Sequence, residues 1–288
     1  MPAPERLPAP GVNTTGEREE LLAKGELTVV GRISGASNAV LLCTVEYGSV
    51  RADCVYKPVK GERPLWDFPD GNLARREVAA YLVSEATGWG LVPPTVLRDG
   101  PYGEGMVQQW IAADGADGAD GADGATGADG LLALVEGEEA GEGWKPVALA
   151  DVGEGRTALL VHADDPRLRR LAVLDAVINN GDRKGGHLLA APDGRLYGID
   201  HGVTFHVEDK LRTLLWGWAG EPLTDEAREV LTGLERQLAA GGRLATRLAE
   251  LITPAELSAV RARVSRLRRT GVHPEPSGQW PAIPWPPV

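Results

Sequence analysis

Nowhere in this sequence do apolar residues run on for the ~20 positions that a membrane-spanning helix requires. The opening MPAPERLPAPG also lacks the basic and apolar regions of a secretory signal. Both absences point to a cytoplasmic, soluble protein with at most peripheral membrane contact. Cysteine is nearly missing. Cys43 and Cys54 stand in strand-like apolar segments, and no CxxC or Cys/His spacing accompanies them. A disulfide or a thiolate metal site is thereby disfavoured, and two buried reduced thiols are expected. Positive charge is short as well: 30 Lys and Arg stand against 41 Asp and Glu, for a net charge of -11. Neutralising phosphates needs a basic surplus, so nucleic acid is not expected as a partner. The RLRR clusters at 167–170 and 266–269 fall in helix-like stretches and read as solvated faces.

What is present suits a two-lobed globular protein or two small domains: 288 residues, 43% of them hydrophobic and 25% charged. Residues 1–26 read as a Pro-rich tail and a short helix closed by Gly25. Strand-like runs follow at 27–33, 39–46 and 50–59, joined by SGASN at 34–38 and by a Tyr47-Gly48-Ser49 turn. This pattern predicts an antiparallel meander. A helix is expected over 74–88, ending at Gly88, and two more strands over 91–111 around Asp99-Gly100. From 113 the chain repeats Ala-Asp-Gly with glycine at every third position. The run has no proline and is too short for a collagen-like helix, so 113–143 reads as a flexible acidic insertion.

Beyond it the pattern turns helical, through 145–155 and then 164–180, where Asp164 or Asp165 can cap and Pro166 opens the helix. Leu168, Leu171, Leu174, Val177 and Ile178 make one apolar stripe. That helix runs into INNGDRKGGHLL at 178–189, and a hairpin through Pro192-Asp193-Gly194 brings Asp200 back toward Asp182. Helices over 223–241 and 254–270 and a Pro/Trp-rich tail at 273–288 complete the chain.

A β-rich lobe over 27–112 and an α-rich lobe over 144–272 make an α+β, two-lobed protein-kinase-like fold. In such folds a glycine-containing turn covers the phosphates of ATP, a strand lysine binds them, a helix carboxylate orients the lysine, and two acids flank the transferring group. Only six lysines occur, at 24, 57, 60, 145, 184 and 210, so Lys57 in CVYKPV is a candidate phosphate-binding charge. Glu77, on the next helix, is its candidate partner, with Glu85 as a competing choice. Ser34, Gly35 and Ser37 offer hydroxyls and backbone N–H groups to phosphates. Asp182 suits a general base or hydroxyl-orienting carboxylate, and Asp200, at a strand end, a Mg²⁺ ligand. Lys184 lies where it can offset charge on the γ-phosphate, and His187 where a second metal ligand is expected.

At these residues the sequence resembles the phosphatidylinositol 3-/4-kinase-like superfamily, and more narrowly a small actinobacterial family of that label. NNGDRKGGHLL is similar to its catalytic loop, of the form GDRHxxNIL, and YGIDHG at 197–202 to its metal-binding segment. The resemblance spans most of 27–250 and is strongest over 171–205. It implies ATP and Mg²⁺ as cofactors, Asp182 as catalytic, Asp200 as metal-binding, Lys57 with Glu77 on the phosphates, and Met106 to Trp110, including Gln108 and Gln109, along the adenine. Two positions depart from the pattern: Lys184 replaces the family's histidine and His187 its asparagine. Imidazole is a poor Mg²⁺ ligand, which brings Mn²⁺ in as an alternative.

The expected function is ATP- and metal-dependent phosphoryl transfer to a lipid, protein or small-molecule hydroxyl. AMP transfer to a protein and a non-catalytic nucleotide-binding pseudokinase are the alternatives. Lys210 and Arg212, next to Leu214, Leu215, Trp216 and Trp218, read either as a lipid-headgroup reader or as part of the packed lobe.

Overall fold

The strand pattern of the first hundred residues closes into one antiparallel sheet. The computed structural model describes residues 14–33, 38–68, 72–112, 130–137, 139–151, 153 and 156–287. The strands are β1 (Glu26–Arg32), β2 (Leu41–Tyr47), β3 (Val50–Pro58), β4 (Thr95–Gly100) and β5 (Gly103–Gln109), in the order β1-β2-β3-β5-β4. Helix α1 (Thr15–Lys24) opens on a capping box between Thr14 and Glu17. Its Leu21 and Leu22 pack with Cys43, Val45, Cys54, Tyr56 and Val107 on one face of this sheet.

Alternation along β3 follows from the two-residue period of a strand. Cys54, Tyr56 and Pro58 are buried, whereas Val55 and Lys57 between them are half-buried. Cys43 and Cys54 sit opposite each other in register, and both are free. Burial pushes their thiols up to about 11 and about 12, which keeps them protonated and unreactive. Both are the reduced, buried thiols expected.

The sheet and α1 form one compact unit, Met1–Pro64 with Pro93–Trp110; Leu65–Val92 with Ile111–Val288 forms the other. Helix α2 (Leu73–Thr87), expected with the strands, belongs to the second unit, where it packs on helices α3 (Pro166–Ile178), α4 (Asp225–Leu238) and α5 (Arg243–Leu248). Its inner face explains this assignment: Ala79, Ala80, Tyr81, Leu82 and Val83 are buried in the same apolar cluster as Leu171, Leu174 and Leu231. Helix α6 (Pro254–Thr270) completes that cluster with Val260 and Val264.

The helical pattern expected after the insertion is corrected. Residues 145–151 belong to strand β7 (Trp144–Asp151), which with β6 (Leu132–Glu136) and β8 (Thr157–Ala163) makes a three-stranded antiparallel sheet, order β6-β8-β7. Strand β6 lies inside the range 113–143 expected as insertion, and residues 113–129 fall outside the described residues. Alanine and leucine dominate LALVE, KPVALAD and TALLVHA, so local preference favours helix, and only long-range pairing makes them strands. The hairpin of β9 (Leu188–Ala190) and β10 (Leu196–Gly198) forms where expected.

His273 reports on the packing of this unit. It is 3% exposed, accepts at Nε2 from Arg169 Nε at 3.3 Å, and lies near the Trp218 ring. Burial, with Arg169 beside it, pushes its pKa down to about 4 against the opposing Glu221 carboxylate. The folded chain therefore keeps His273 neutral, whereas the unfolded chain protonates it near the ordinary 6.5. Stability is expected to be full above that value and to fall as pH drops toward about 4. Buried His162, also held below the ordinary range, adds in the same direction. Thermal midpoints between neutral and acid pH check this, and His273→Gln is expected to shallow the slope. An equal slope in that variant removes His273 as a cause.

Candidate active site around Asp182 and Asp200

The C-terminal end of α3 builds the site. Asn179 caps the helix in the left-handed conformation, φ 54°. Its side-chain amide donates to the carbonyls of His206 and Glu208, and its Oδ1 accepts from Lys210 N. Asn180, fully buried, donates to Asp175 Oδ1 and accepts at Oδ1 from the backbone N–H of Asp182 at 3.0 Å. Two consecutive asparagines thus fix the start of the loop and the segment that follows Asp200.

Between Asp182 and Asp200 stands Arg183, with no exposed surface. Its guanidinium makes a bidentate pair with Asp175, Nε to Oδ2 at 3.0 Å and Nη2 to Oδ1 at 2.9 Å. Nη1 donates to the carbonyls of Ile199 at 3.0 Å and His187 at 3.3 Å, and Nη2 meets His201 Nε2 at 2.6 Å. One side chain therefore holds the residue after Asp182 to both neighbours of Asp200. Gly198 is tied to the same group: a Cβ there would lie 3.0 Å from Arg183 Nη2.

Asp200 itself has φ 60°, an uncommon conformation for a non-glycine residue that persists where the surroundings over-determine it. The surroundings here are Arg183 on the Ile199 carbonyl and Glu77, 1% exposed, which accepts the His201 N–H at 2.8 Å. The Asp182 carboxylate pairs with Lys184 Nζ at 3.1 Å, both side chains partly open to solvent. His187 Nε2 lies 3.5 Å from Asp200 Oδ2, and its Nδ1 accepts from Lys184 N at 3.4 Å. Burial lowers the His187 pKa, outweighing the adjacent Asp200 carboxylate. His187 and Asp200 thus face each other, with Nε2 the ring nitrogen on the Asp200 side.

The residues expected to touch nucleotide fall in different places. Ser34, Gly35 and Ser37 lie outside the described residues. Lys57 stands on β3 opposite Met106 of β5. Gln108 is buried, with its amide committed to Thr95 Oγ1 at 2.8 Å, while Gln109 Oε1 is buried without a hydrogen-bond partner among the described residues. Trp110 is exposed on its flank, its N–H on the Asp53 carbonyl. Glu77 stands on α2, in the other unit from Lys57. Among the described residues no group of three His, Cys, Asp or Glu side chains is gathered for a metal.

No family model matches the chain. Protein Rv2133c of Mycobacterium tuberculosis, however, is 52% identical over 270 residues, covering 94% of this chain and 95% of that one. The chain belongs to the Rv2133c family. Among solved structures, the Golgi casein kinase with Mn and ADP bound shares 14% identity at a TM-score of 0.53, over 95% of this chain and 80% of that one. Hydra Fam20 with sugar shares 12% at 0.50, over 90% of this chain and 89% of that one. These likenesses give the Rv2133c-family chain an α+β, protein-kinase-like fold with a strand-rich and a helical part.

Sequence reasoning passed over Asp175 and Arg183. The available signal was a carboxylate inside the stripe LAVLDAVI, where a buried charge demands a partner. The headgroup-reading alternative for Lys210 is corrected. Leu214, Leu215, Trp216 and Trp218 are buried in the unit, and Lys210 is 5% exposed with Nζ on Asp67 Oδ2 at 3.0 Å.

Proposed function

We propose that this chain is an ATP- and metal-dependent phosphotransferase of the phosphatidylinositol 3-/4-kinase-like type, acting on the hydroxyl of a lipid, protein or small molecule. The observation that carries the reading is the Arg183 hub, which ties Asp182 to the strand end bearing Asp200. Two carboxylates held on one buried frame suit in-line transfer, where catalysis is chiefly positioning and charge stabilisation.

Asp182 orients the acceptor hydroxyl and takes its proton as that oxygen bonds to the γ-phosphorus and the bond to the bridging oxygen of ADP breaks. Lys184, 3.1 Å from Asp182, compensates charge on the transferring group. The Asp200 carboxylate fits a hard divalent ion; when bound, Mg²⁺ or Mn²⁺ neutralises charge on the nucleotide phosphates. His187, whose Nε2 lies 3.5 Å from Asp200 Oδ2, would hold a second ion beside it, and an imidazole there suits Mn²⁺ better than Mg²⁺. Ser34, Gly35, Ser37, Lys57 and Glu77 serve the phosphates, and Gln108, Gln109 and Trp110 the base. Gln109 Oε1, without a hydrogen-bond partner among the described residues, is suited to accept from an amino group. A cytoplasmic setting belongs to the same proposal and agrees with the two free thiols.

The test is incubation with ATP labelled separately at the γ- and α-phosphates, with Mg²⁺ or Mn²⁺, a cell extract as acceptor source, and Asp182→Ala alongside. Transfer of the γ label that requires Asp182 is the expected result. Transfer of the α label redirects the assignment to AMP transfer, and nucleotide binding without transfer of either label redirects it to a pseudokinase.

A further inference from the structure

The Pro/Trp-rich segment after α6 packs on the catalytic loop. Gly185, buried within that loop, donates its N–H to the Pro287 carbonyl at 2.9 Å. The Ala282 carbonyl accepts twice, from Thr213 N at 3.1 Å and from Trp216 Nε1 at 2.8 Å, and the Ile283 carbonyl accepts from Arg212 Nη2 at 3.4 Å. Thr213 and Trp216 are buried, so these donors depend on the segment for their partners. Its carbonyls therefore satisfy donors on two separate stretches, the catalytic loop and the run after Asp200.

An anchor holds it there. The Lys210 ammonium sits 4.4 Å from the Trp280 ring, 5.3 Å from Trp66 and 5.8 Å from Phe68, and pairs with Asp67. A cation enclosed by three rings and one carboxylate, nearly excluded from water, binds those rings more strongly than an exposed lysine. Lys210 is itself fixed through its N–H on Asn179, the cap of α3. The anchor and the catalytic loop thus share one helix end.

We propose that residues 280–287 are a positioning element of the site: Trp280 clamps onto Lys210, and the carbonyls of Ala282 and Pro287 hold the Thr213 and Gly185 segments in their working arrangement. The proposal rests on the phosphotransferase reading for its consequence in turnover, and on geometry alone for the holding contact.

Three variants of the full protein test it: Trp280→Ala, Trp280→Phe, and a chain stopped after Ser277. Amide exchange at Gly185 and Thr213 is expected to quicken about tenfold in the stopped chain and measurably in Trp280→Ala, with the amides of α3 and α6 unchanged and Trp280→Phe close to wild type. Turnover is expected to fall about tenfold in the stopped chain with KM for ATP unchanged, and a peptide of residues 278–288 to restore it. Unchanged exchange at both amides overturns the holding contact. Quickened exchange with equal or higher kcat overturns the positioning role, higher kcat marking a restraining strap. If the intact chain moves no label, the phosphotransferase reading fails, and exchange at Gly185 and Thr213 still decides whether the segment holds the loop.

Discussion

Arg183→Met is expected to lower folding stability by about 3–5 kcal/mol, because it strands a fully buried carboxylate. Asp175 and Arg183 both have no exposed surface. Without the guanidinium, Asp175 keeps the Asn180 amide at 2.9 Å and a long 3.5 Å contact from Thr213 Oγ1. Neither supplies a compensating charge. Methionine is apolar and of similar length, so the loss reads the uncompensated carboxylate more than a cavity. The carbonyls of His187 and Ile199 lose a donor at the same time, so the loop should loosen along with the pair. Urea unfolding with an unchanged slope checks the value. The double variant Asp175→Leu with Arg183→Met should recover most of the loss, since replacing both members of a buried pair is far milder than removing one. A single variant within about 1 kcal/mol of wild type would show that the pair does not carry the loop.

This network explains what could be read from sequence and what could not. The loop that carries Asp182 and the hairpin that leads to Asp200 are legible because local order sets them: a helix, a loop and a tight hairpin follow one another along the chain. The strands β1 to β5 are legible because each carries its own alternation and turn residues. Arg183 is harder, since an arginine in a Gly/Lys-rich loop reads as solvated until its partner eight residues earlier is known to be buried. The β6-β8-β7 sheet is illegible for the reason its residues are Ala and Leu: the middle strand, β8, is buried along most of its length, and a continuous apolar run has no period to distinguish strand from helix. The hold of Pro287 on Gly185 joins positions a hundred residues apart through backbone atoms, which leave no trace in side-chain pattern.

Asp182→Asn and Asp200→Asn should separate the two carboxylates by what each loses. Asparagine keeps the volume of aspartate, and the contact that fixes Asp182 in the loop runs through its backbone N–H to Asn180, so the loop should survive the exchange. On the phosphotransferase reading proposed above, what disappears is the proton acceptor, worth about 10²–10⁴ in turnover for a positioned general base. Lys184 loses its partner but keeps its charge, so nucleotide affinity should hold or rise slightly. At Asp200 the reverse is expected. Its left-handed backbone tolerates asparagine well, so folding should change little. On the proposed reading a metal would lose its charged ligand there, and metal-dependent nucleotide affinity should drop about tenfold or more, with turnover falling in consequence. Calorimetric titration of each variant with Mg-ATP and Mn-ATP, paired with turnover, reads both effects. Equal affinity in wild type and Asp200→Asn would remove Asp200 from the metal site. Full turnover in Asp182→Asn would move the proton acceptor elsewhere and leave Asp182 a structural anchor for Lys184.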